Sequence, residues 1–297
     1  MLFFTFFADI LNIFNKGENM DSFKIIAEIG GTHIGSLERA KNLAKLAKIA
    51  GAHIVKTQKR NPKESVKKEL WDQPHPNQIY SYGKTYLEHR QNLELSIEEH
   101  AELKVYCESI DIEYSTSVWD MTSAKEVVQL NPKFIKIPSA CNHNKEILNY
   151  LLNSYKGEVH ISLGMTTKEE RVNLLKNLQP YQDKVVAYLC TSGYPVPHNQ
   201  LYLLEISNML QYLPNIGFSN HSLGLAMGPV AYALGARYFE YHFIDDRTYR
   251  HQDAACSLEP QGLSKLVRDL RATEKALQYK PDELDEIEKE QKDKLRL

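Results

Sequence analysis

Short apolar runs rich in β-branched residues alternate with amphipathic stretches from Lys24 onward. Each run is five or six residues long, and the stretches between most of them carry an apolar stripe at helical period. Alternation of this kind is typical of repeated βα units around a parallel sheet. The eight runs are KIIAEI (24–29), HIVKTQ (53–58), IEYST (112–116), FIKIP (134–138), EVHIS (158–162), VVAYLC (185–190), NIGFS (215–219) and RYFEYH (237–242).

The stretches between the runs predict helices. Eight strands and eight helices close a barrel, so we predict an α/β fold of the TIM-type (β/α)8 class over residues 23–280. Such barrels run to about 250 residues as one domain, and the 297 residues of this chain suit one barrel with small extensions. The clearest helical stretches are 37–50, 97–109, 168–178 and 223–234, with a last helix at about 259–278.

The segment 59–95 is too long for an ordinary βα connection and is rich in Pro, Tyr and charged residues. We predict that it folds over the barrel mouth as a lid or substrate loop, the alternative being a loop that only packs. Its candidate contact residues are Trp71, Tyr80, Tyr82, Tyr86 and Arg90.

The two ends of the chain are expected to lie outside the barrel. Residues 1–22 form an N-terminal extension with phenylalanines at helical spacing, but it has no basic start, and Asp9 interrupts the apolar run. These features argue against an export signal or a membrane span, and a peripheral amphipathic helix stays open as an alternative. Residues 281–297 mix acidic and basic side chains and predict a solvated helical tail.

Composition narrows the class of protein. The chain is 42% hydrophobic and 25% charged, as in an ordinary soluble enzyme. Its 36 Lys and Arg nearly balance 38 Asp and Glu, which gives no electrostatic reason for a nucleic-acid partner. The four cysteines show no C-x-x-C spacing, so a disulfide framework is not expected and a reducing cytoplasm suits the chain.

Polar side chains interrupt or follow the predicted strands at their carboxyl ends, where TIM barrels carry their active sites. Two lysines, several hydroxyls and two histidines at one barrel mouth indicate an anion and metal site. The candidates are Glu28, Lys56, Gln58, Thr116, Lys136, Ser139, Ser162, Thr191, Ser192, Ser219, His221, Glu240 and His242.

Lys56 and Lys136 lie inside apolar runs, where an ammonium group needs an anionic partner. One interpretation is a structural ion pair with Glu28 or Glu240. A second is that both lysines bind a phosphate and a carboxylate of a ligand, and a third is a Schiff base. The sequence pattern leaves these three open.

His221 follows the seventh run and His242 ends the eighth, so both imidazoles are expected on one side of the mouth. This placement predicts a pair of divalent-metal ligands, the alternative being hydrogen-bonded structural histidines. His33 and Asp253 lie in loops near the same rim, where ordinary turn residues are the alternative.

Eight ordered blocks of sequence resemble the sialic acid synthase (N-acetylneuraminate synthase) family over about residues 23–278. The resemblance implies condensation of phosphoenolpyruvate with N-acetylmannosamine or a related aldose, giving a nonulosonic acid and phosphate. It also implies a homodimer, and no membrane partner is indicated. The blocks are IAEIGGTHIGSLERAK, GAHIVKTQ, KIPSA, SLGM, CTSGYPVP, GFSNHSLGLA, ALGARYFEYHF and DAACSLEPQGL.

The resemblance also implies roles for the candidate residues. His221 and His242 would hold a divalent ion, Mn²⁺ before Mg²⁺ or Co²⁺, and Glu28 is our hypothesis for the general base. Lys56, Thr116, Lys136, Ser139, Ser162, Ser192 and Ser219 would bind phosphoenolpyruvate, whereas Glu28, Gln58, Tyr194 and Asp253 would face the sugar. The expected catalytic residues are Glu28, Lys56, Lys136, His221 and His242.

The chain departs from the family's pattern near the expected sugar site. Thr32-His33-Ile34 stands where Asn-His-Asn is usual, and Ala140-Cys141 replaces a glutamate. Asn220-His221 replaces Asp-His, and we expect the barrel to lack the C-terminal antifreeze-like domain of many members. The aldose is therefore left open.

Two other functions stay open at this point. One is a 3-deoxy-ulosonate synthase that uses a phosphorylated aldose, which would need an extra basic cluster such as Lys59, Arg60 and Lys63. The other is a sugar-binding barrel without catalytic activity.

Overall fold

The structure is a computed structural model that describes residues 22–296. Eight parallel strands pair in chain order, and β8 pairs with β1 to close the barrel. The strands are β1 (Lys24–Glu28), β2 (Ile54–Lys59), β3 (Glu113–Val118), β4 (Phe134–Ile137), β5 (Glu158–Ser162), β6 (Val185–Cys190), β7 (Ile216–Asn220) and β8 (Tyr238–His242). The prediction of a TIM-type (β/α)8 barrel is confirmed.

Helices connect and follow the strands, and most of them cover the outside of the barrel. They are α1 (Leu37–Ile49), α2 (Pro62–Ser65), α3 (Tyr86–Asn92), α4 (Ile97–Ser109), α5 (Met121–Leu130), α6 (Lys145–Ser154), α7 (Lys168–Leu178), α8 (Glu205–Met209), α9 (Met227–Ala233), α10 (Pro260–Ala276) and α11 (Glu286–Leu295). Short 3₁₀ turns occupy Lys68–Leu70, Gln78–Tyr80, Ser139–Cys141, Gln179–Tyr181 and His198–Gln200.

Local sequence sets where several helices begin. Ser96 and Thr167 each accept a hydrogen bond from the backbone three residues on, and the glutamate at that position reaches back to the cap. The stretch predicted as a helix over 223–234 is helical only from Met227, because Gly224 adopts a positive φ of 85° that lies outside the right-handed helical region.

Two layers fill the inside of the barrel. The lower layer is a small apolar cluster that includes Ile26, Ile54 and Phe134. Side chains two residues apart on a strand share a face, so Glu28, Lys56 and Lys136 follow on the same inward face. The charged residues therefore lie directly above an apolar floor and toward the carboxyl ends of the strands.

The segment 59–95 is held together by internal contacts and joined to the loop after β8 by a hydrogen bond. The Trp71 indole donates to the Val66 carbonyl at 3.0 Å, and the His75 ring stacks on Tyr86. The Tyr82 hydroxyl donates to the Arg250 carbonyl at 2.5 Å, which ties the segment to the loop after β8.

The predicted tail helix is present as α11, and none of its side chains is buried. The predicted N-terminal extension lies outside the described residues, apart from Ser22. Within residues 22–296, no helix combines the length and the apolar character needed to cross a membrane.

Candidate active site

A cavity of about 280 Å³ opens at the carboxyl ends of the strands, and all eight strands contribute to its wall. Twelve of the thirteen residues to which the resemblance gives a role line it, and Thr116 does not; Thr191, a further strand-end candidate, does not line it either. The lining residues among those predicted are Glu28, Lys56, Gln58, Lys136, Ser139, Ser162, Ser192, Tyr194, Ser219, His221, His242 and Asp253. The alternation of strands and helices thus brings together residues that are far apart in sequence.

Ser117, rather than the predicted Thr116, is the residue of β3 that lines the cavity. Thr116 shares the outward face of β3 with Tyr114, whose hydroxyl lies 2.9 Å from Thr57 Oγ1 outside the barrel. Ser117 points inward and is paired with Lys136 across the ladder. The hydroxyl that β3 offers to the cavity is therefore that of Ser117.

Two lysines and two glutamates form the floor of the cavity. Lys56 Nζ contacts Glu28 Oε2 and lies 3.8 Å from Glu240 Oε1, while Lys136 Nζ lies 2.7 Å from Glu240 Oε2. Ser219 Oγ donates to Glu240 Oε1 at 3.3 Å. The structural ion pairs that the sequence allowed are therefore present.

After ion pairing, both lysines still have N–H donors that are free to bind a ligand. An ammonium group carries three N–H donors, so each lysine keeps donors for a ligand in the cavity. Lys136 also lies 3.8 Å from the centre of the Tyr188 ring, and the Tyr188 hydroxyl lies 2.8 Å from His160 Nδ1 in the layer below. The position of Lys136 is thus fixed from two sides.

Burial and neighbouring charges set the protonation of this floor. Burial lowers the pKa of Lys56 to about 8, and although Glu240 opposes this shift, Lys136 and Arg60 add to it. Burial alone would raise the pKa of Glu240, but Lys136 and Lys56 outweigh burial and lower it to about 2. Glu240 is therefore ionised at neutral pH and holds the lysines together.

Hydroxyl groups line one side of the cavity above the lysines. Ser139 Oγ is buried and has no hydrogen-bond partner among the described residues. A Cβ at Gly164 would lie 2.6 Å from Ser139 Oγ and 2.7 Å from Ser192 Oγ. The glycine therefore keeps open the space between two hydroxyls that can donate to ligand oxygens.

His221 and His242 lie side by side with their ring centres 5.3 Å apart. His221 Nδ1 donates to the Thr191 carbonyl at 2.9 Å, which leaves its Nε2 as a lone-pair donor for a metal. His242 Nδ1 is buried without a hydrogen-bond partner among the described residues, and Asp253 Oδ2 lies 3.6 Å away. Burial lowers the pKa of His242 to about 4, so this ring is neutral near pH 7, as metal ligation requires.

Among residues 22–296, no group of three or more His, Cys, Asp or Glu side chains is arranged to hold a metal ion. The protein can therefore supply two imidazoles, and the remaining positions would have to come from water or substrate oxygens. An orphaned imidazole nitrogen beside a second, correctly oriented imidazole fits such a site.

Several cavity residues have no site role in the sequence interpretation, among them Ser117, Trp119 and His251. His251 lies in the loop after β8, and its Nε2 would be 2.9 Å from a Cβ placed on Gly31. His33, in contrast, does not line the cavity and accepts a hydrogen bond from the Gly35 backbone at 3.1 Å within its own turn.

The chain is similar to proteins of one family. The profile of the NeuB family matches residues 43–282. The N-acetylneuraminate-9-phosphate synthase of Homo sapiens is 34% identical over 255 residues, which cover 85% of this chain and 70% of that protein. The N,N'-diacetyllegionaminic acid synthase of Campylobacter jejuni is 30% identical over 257 residues, covering 85% of this chain and 77% of that one.

The fold is shared with solved structures. The N-acetylneuraminic acid synthetase of Leptospira borgpetersenii, crystallised in complex with citrate, superposes with a TM-score of 0.78 at 24% identity. The superposition covers 95% of this chain and 96% of that one.

Proposed function

Because this chain belongs to the NeuB family, we propose that it is a nonulosonic acid synthase that condenses phosphoenolpyruvate with N-acetylmannosamine or a related aldose and releases phosphate. The human and Campylobacter relatives are synthases of acids of this class. The observation that carries the proposal is one cavity that holds both buried lysines, the row of serines and the histidine pair.

The floor of the cavity suits phosphoenolpyruvate, which carries a phosphate and a carboxylate. Lys56 and Lys136 would bind these two anionic groups with the donors that their glutamate partners leave free. Ser139, Ser162 and Ser192 would add neutral hydrogen bonds to the phosphate oxygens. The glutamates keep both ammonium groups fixed, so little reorganisation is needed when the ligand arrives.

Carbon–carbon bond formation follows from this placement. The double bond of phosphoenolpyruvate attacks the aldehyde carbon through C3, and positive charge develops at C2. Water adds at C2 and loses a proton, for which Glu28 is the candidate base, and the former aldehyde oxygen takes up a proton to become a hydroxyl. The second proton of this water passes to the phosphate as the ketone forms at C2. The C2–O bond to phosphate then breaks, and Lys136 stabilises the negative oxygens of the departing phosphate.

His221 and His242 are proposed to hold a divalent ion, with Mn²⁺ preferred over Mg²⁺ or Co²⁺. When bound, such an ion supplies Lewis acidity toward an aldehyde oxygen. Tyr194 packs its ring 4.4 Å from that of His221, and Asp253 lies beside His242, so both side chains bound the place where the aldose would lie.

We expect kcat/KM for phosphoenolpyruvate to be constant below about pH 8 and to fall as the pH rises further. Burial lowers the pKa of Lys56 to about 8, so the free enzyme loses this positive charge above that pH. The pH dependence of kcat/KM reports the free enzyme, and a pH–rate profile measures it. Lys56→Arg keeps its charge at every accessible pH and should move the fall upward. A fall at the same pH in that variant would assign the titration to another group.

We also propose that the protein forms a homodimer and works in the cytoplasm. Met165, Tyr202, Leu204 and Leu223 are large apolar side chains that are at least half exposed, as the surface of a homodimer would be before assembly. The four cysteines are free thiols, which suits a reducing compartment.

Phosphate release from phosphoenolpyruvate, measured with Mn²⁺ and a panel of aldoses headed by N-acetylmannosamine and its 6-phosphate, tests the function. We expect release only when an aldose and a divalent metal are both present. A folded, metal-loaded protein that releases no phosphate with any aldose of the panel would refute the synthase.

A further inference from the structure

One buried tyrosine below the floor of the cavity has no role in the mechanism above. Tyr188 lies on β6, is fully buried and belongs to the small apolar cluster inside the barrel. The centre of its ring lies 3.8 Å from Lys136 Nζ. A buried phenol needs a hydrogen-bond partner for its hydroxyl, and that partner decides how firmly the ring is placed.

Two hydrogen bonds lead from Tyr188 to the lower rim of the barrel. The Tyr188 hydroxyl lies 2.8 Å from His160 Nδ1, and His160 Nε2 lies 3.1 Å from Glu158 Oε2. His160 is fully buried, whereas Glu158 is the first residue of β5 and its side chain is 33% exposed. The chain of contacts therefore runs from the amino end of β5 to the ring beside Lys136.

The protonation states of these groups fix the direction of both hydrogen bonds. The hydrogen bond with His160 lowers the pKa of Glu158, so this carboxylate is ionised near pH 7 and only accepts. Burial lowers the pKa of His160 to about 4, so its imidazole is neutral and carries one N–H. His160 Nε2 therefore donates to Glu158, and His160 Nδ1 accepts from the Tyr188 hydroxyl.

Packing leaves one place for the Tyr188 ring. A Cβ at Gly217 on β7 would lie 2.5 Å from both Cδ1 and Cε1 of Tyr188, closer than nonbonded carbon atoms approach each other. The glycine thus provides the space that the ring occupies. The Phe134 ring stacks on His160, with ring centres 3.7 Å apart and planes inclined by 6°. The tyrosine ring and the imidazole that binds it are therefore both held in place.

Lys136 is a side chain whose position has to be fixed by its neighbours. It reaches the cavity on a flexible four-carbon stem, which in isolation samples many rotamers. Glu240 lies 2.7 Å from Lys136 Nζ, but Lys56 lies 3.8 Å from the same carboxylate. The face of an aromatic ring attracts an ammonium group and carries no net charge. Tyr188 can therefore hold Lys136 without cancelling the positive charge that a ligand needs.

We propose that Tyr188 is a positioning residue for Lys136, and that the hydrogen bonds through His160 to Glu158 hold its ring against the ammonium group. This role rests on the proposed synthase function, in which Lys136 binds phosphoenolpyruvate and stabilises the departing phosphate. Tyr188 does not line the cavity, so it acts on the reaction through Lys136. A donor that is fixed before the ligand arrives stabilises developing negative charge without reorganisation.

Kinetics of two Tyr188 variants test this role in the purified full chain. Tyr188→Leu removes the ring face and should lower kcat/KM for phosphoenolpyruvate by about 10-fold, with KM for the aldose unchanged. Tyr188→Phe keeps the ring face and loses only the hydroxyl, so it should recover kcat/KM to within about 3-fold of wild type, the remaining loss being that of one hydrogen bond.

Tyr155→Leu is the matched control for the loss of a buried tyrosine. Tyr155 is buried, donates to the Pro132 carbonyl and does not line the cavity. This variant should lower the thermal stability and leave the kinetic constants of the folded protein unchanged. Thermal unfolding of every variant separates loss of position from loss of the fold.

A spectroscopic readout tests the contact without substrate. The ring current of an aromatic face moves the ε-methylene proton resonances of a lysine beside it upfield, which NMR detects in protein that is isotope-labelled at the lysine ε-carbons. The Lys136 resonance is identified by its absence from Lys136→Met. It should be shifted upfield in wild type and in Tyr188→Phe, and should move toward the resonances of the exposed lysines in Tyr188→Leu.

Three outcomes would overturn the positioning role. They are equal kcat/KM for phosphoenolpyruvate in wild type and Tyr188→Leu, no recovery in Tyr188→Phe, and a Lys136 resonance that does not move when the ring is removed. Full wild-type activity in Tyr188→Phe would overturn the part of His160 and Glu158. If the wild type consumes phosphoenolpyruvate with no aldose, the proposed function fails, and the Lys136 resonance still decides whether Tyr188 holds this lysine.

Discussion

Lys136→Met is expected to lower kcat/KM for phosphoenolpyruvate by about 1000-fold. Removing one preorganised donor to a developing negative charge costs about 100- to 1000-fold, and this donor is also a buried charge. Lys136 Nζ lies 2.7 Å from Glu240 and 3.8 Å from the Tyr188 ring centre, so its ammonium group is held in one position. Steady-state kinetics with varied phosphoenolpyruvate measures the effect.

The matched control for this variant is Lys133→Met. Lys133 lies three residues earlier, with its side chain 58% exposed and 3.9 Å from Glu158. An exposed ion pair of this kind contributes about 0–1 kcal/mol, so activity and thermal stability should both stay near wild type. If Lys136→Met retained most of its activity while remaining folded, the assignment of Lys136 to the departing phosphate would be wrong.

The barrel could be predicted because its elements obey simple periods. Most strands show as runs rich in β-branched residues, and the eighth shows as an aromatic run. Lys56, Gln58 and Lys136 stand out because a charged or polar residue inside an apolar run needs a partner. The inward face is easy to assign on β2, where Ile54 and Lys56 share it. The same reasoning predicted that strand-end residues meet, which the cavity shows.

On strand β3, the sequence does not show which side chains point into the barrel. Ser115, Thr116 and Ser117 are consecutive and all polar, so alternation does not distinguish the inward face from the outward one. The structure places Ser117 in the cavity, while Thr116 shares a face with Tyr114 outside the barrel. Only the register with β4, where Ser117 pairs with Lys136, settles the orientation.

Residues contributed by long loops were the hardest to predict. Arg90 and His251 reach the cavity because α3 and the loop after β8 pack against the mouth. This packing cannot be predicted from the periodicity of apolar and polar residues along the chain. Arg60 is an exception. Lys56, Gln58 and Arg60 are two residues apart, and side chains two residues apart on a strand share a face. This alternation continues just past the end of β2 and predicts that Arg60 points inward.

His221→Ala is expected to remove divalent-metal binding and to lower aldose-dependent phosphate release by about 1000-fold or more, because a Lewis acid contributes several kcal/mol to such a step. In the proposed site the ion is held by two imidazoles, and no group of three or more His, Cys, Asp or Glu side chains among the described residues offers an alternative, so loss of one imidazole leaves a single protein ligand. His242→Ala should have the same effect, and its buried Nδ1 explains why this ring is poised for a ligand.

Metal content, measured by elemental analysis after dialysis against Mn²⁺, gives a readout that does not depend on activity. His198→Ala is the matched control, because His198 is an exposed histidine on the same rim that contacts the Leu223 carbonyl and does not line the cavity. Wild type and His198→Ala should retain one equivalent of metal and lose activity on chelation, with recovery when Mn²⁺ returns. Full metal content in both His221→Ala and His242→Ala would show that the ion binds elsewhere, and the two histidines would then be structural residues that position Tyr194 and Asp253 at the cavity.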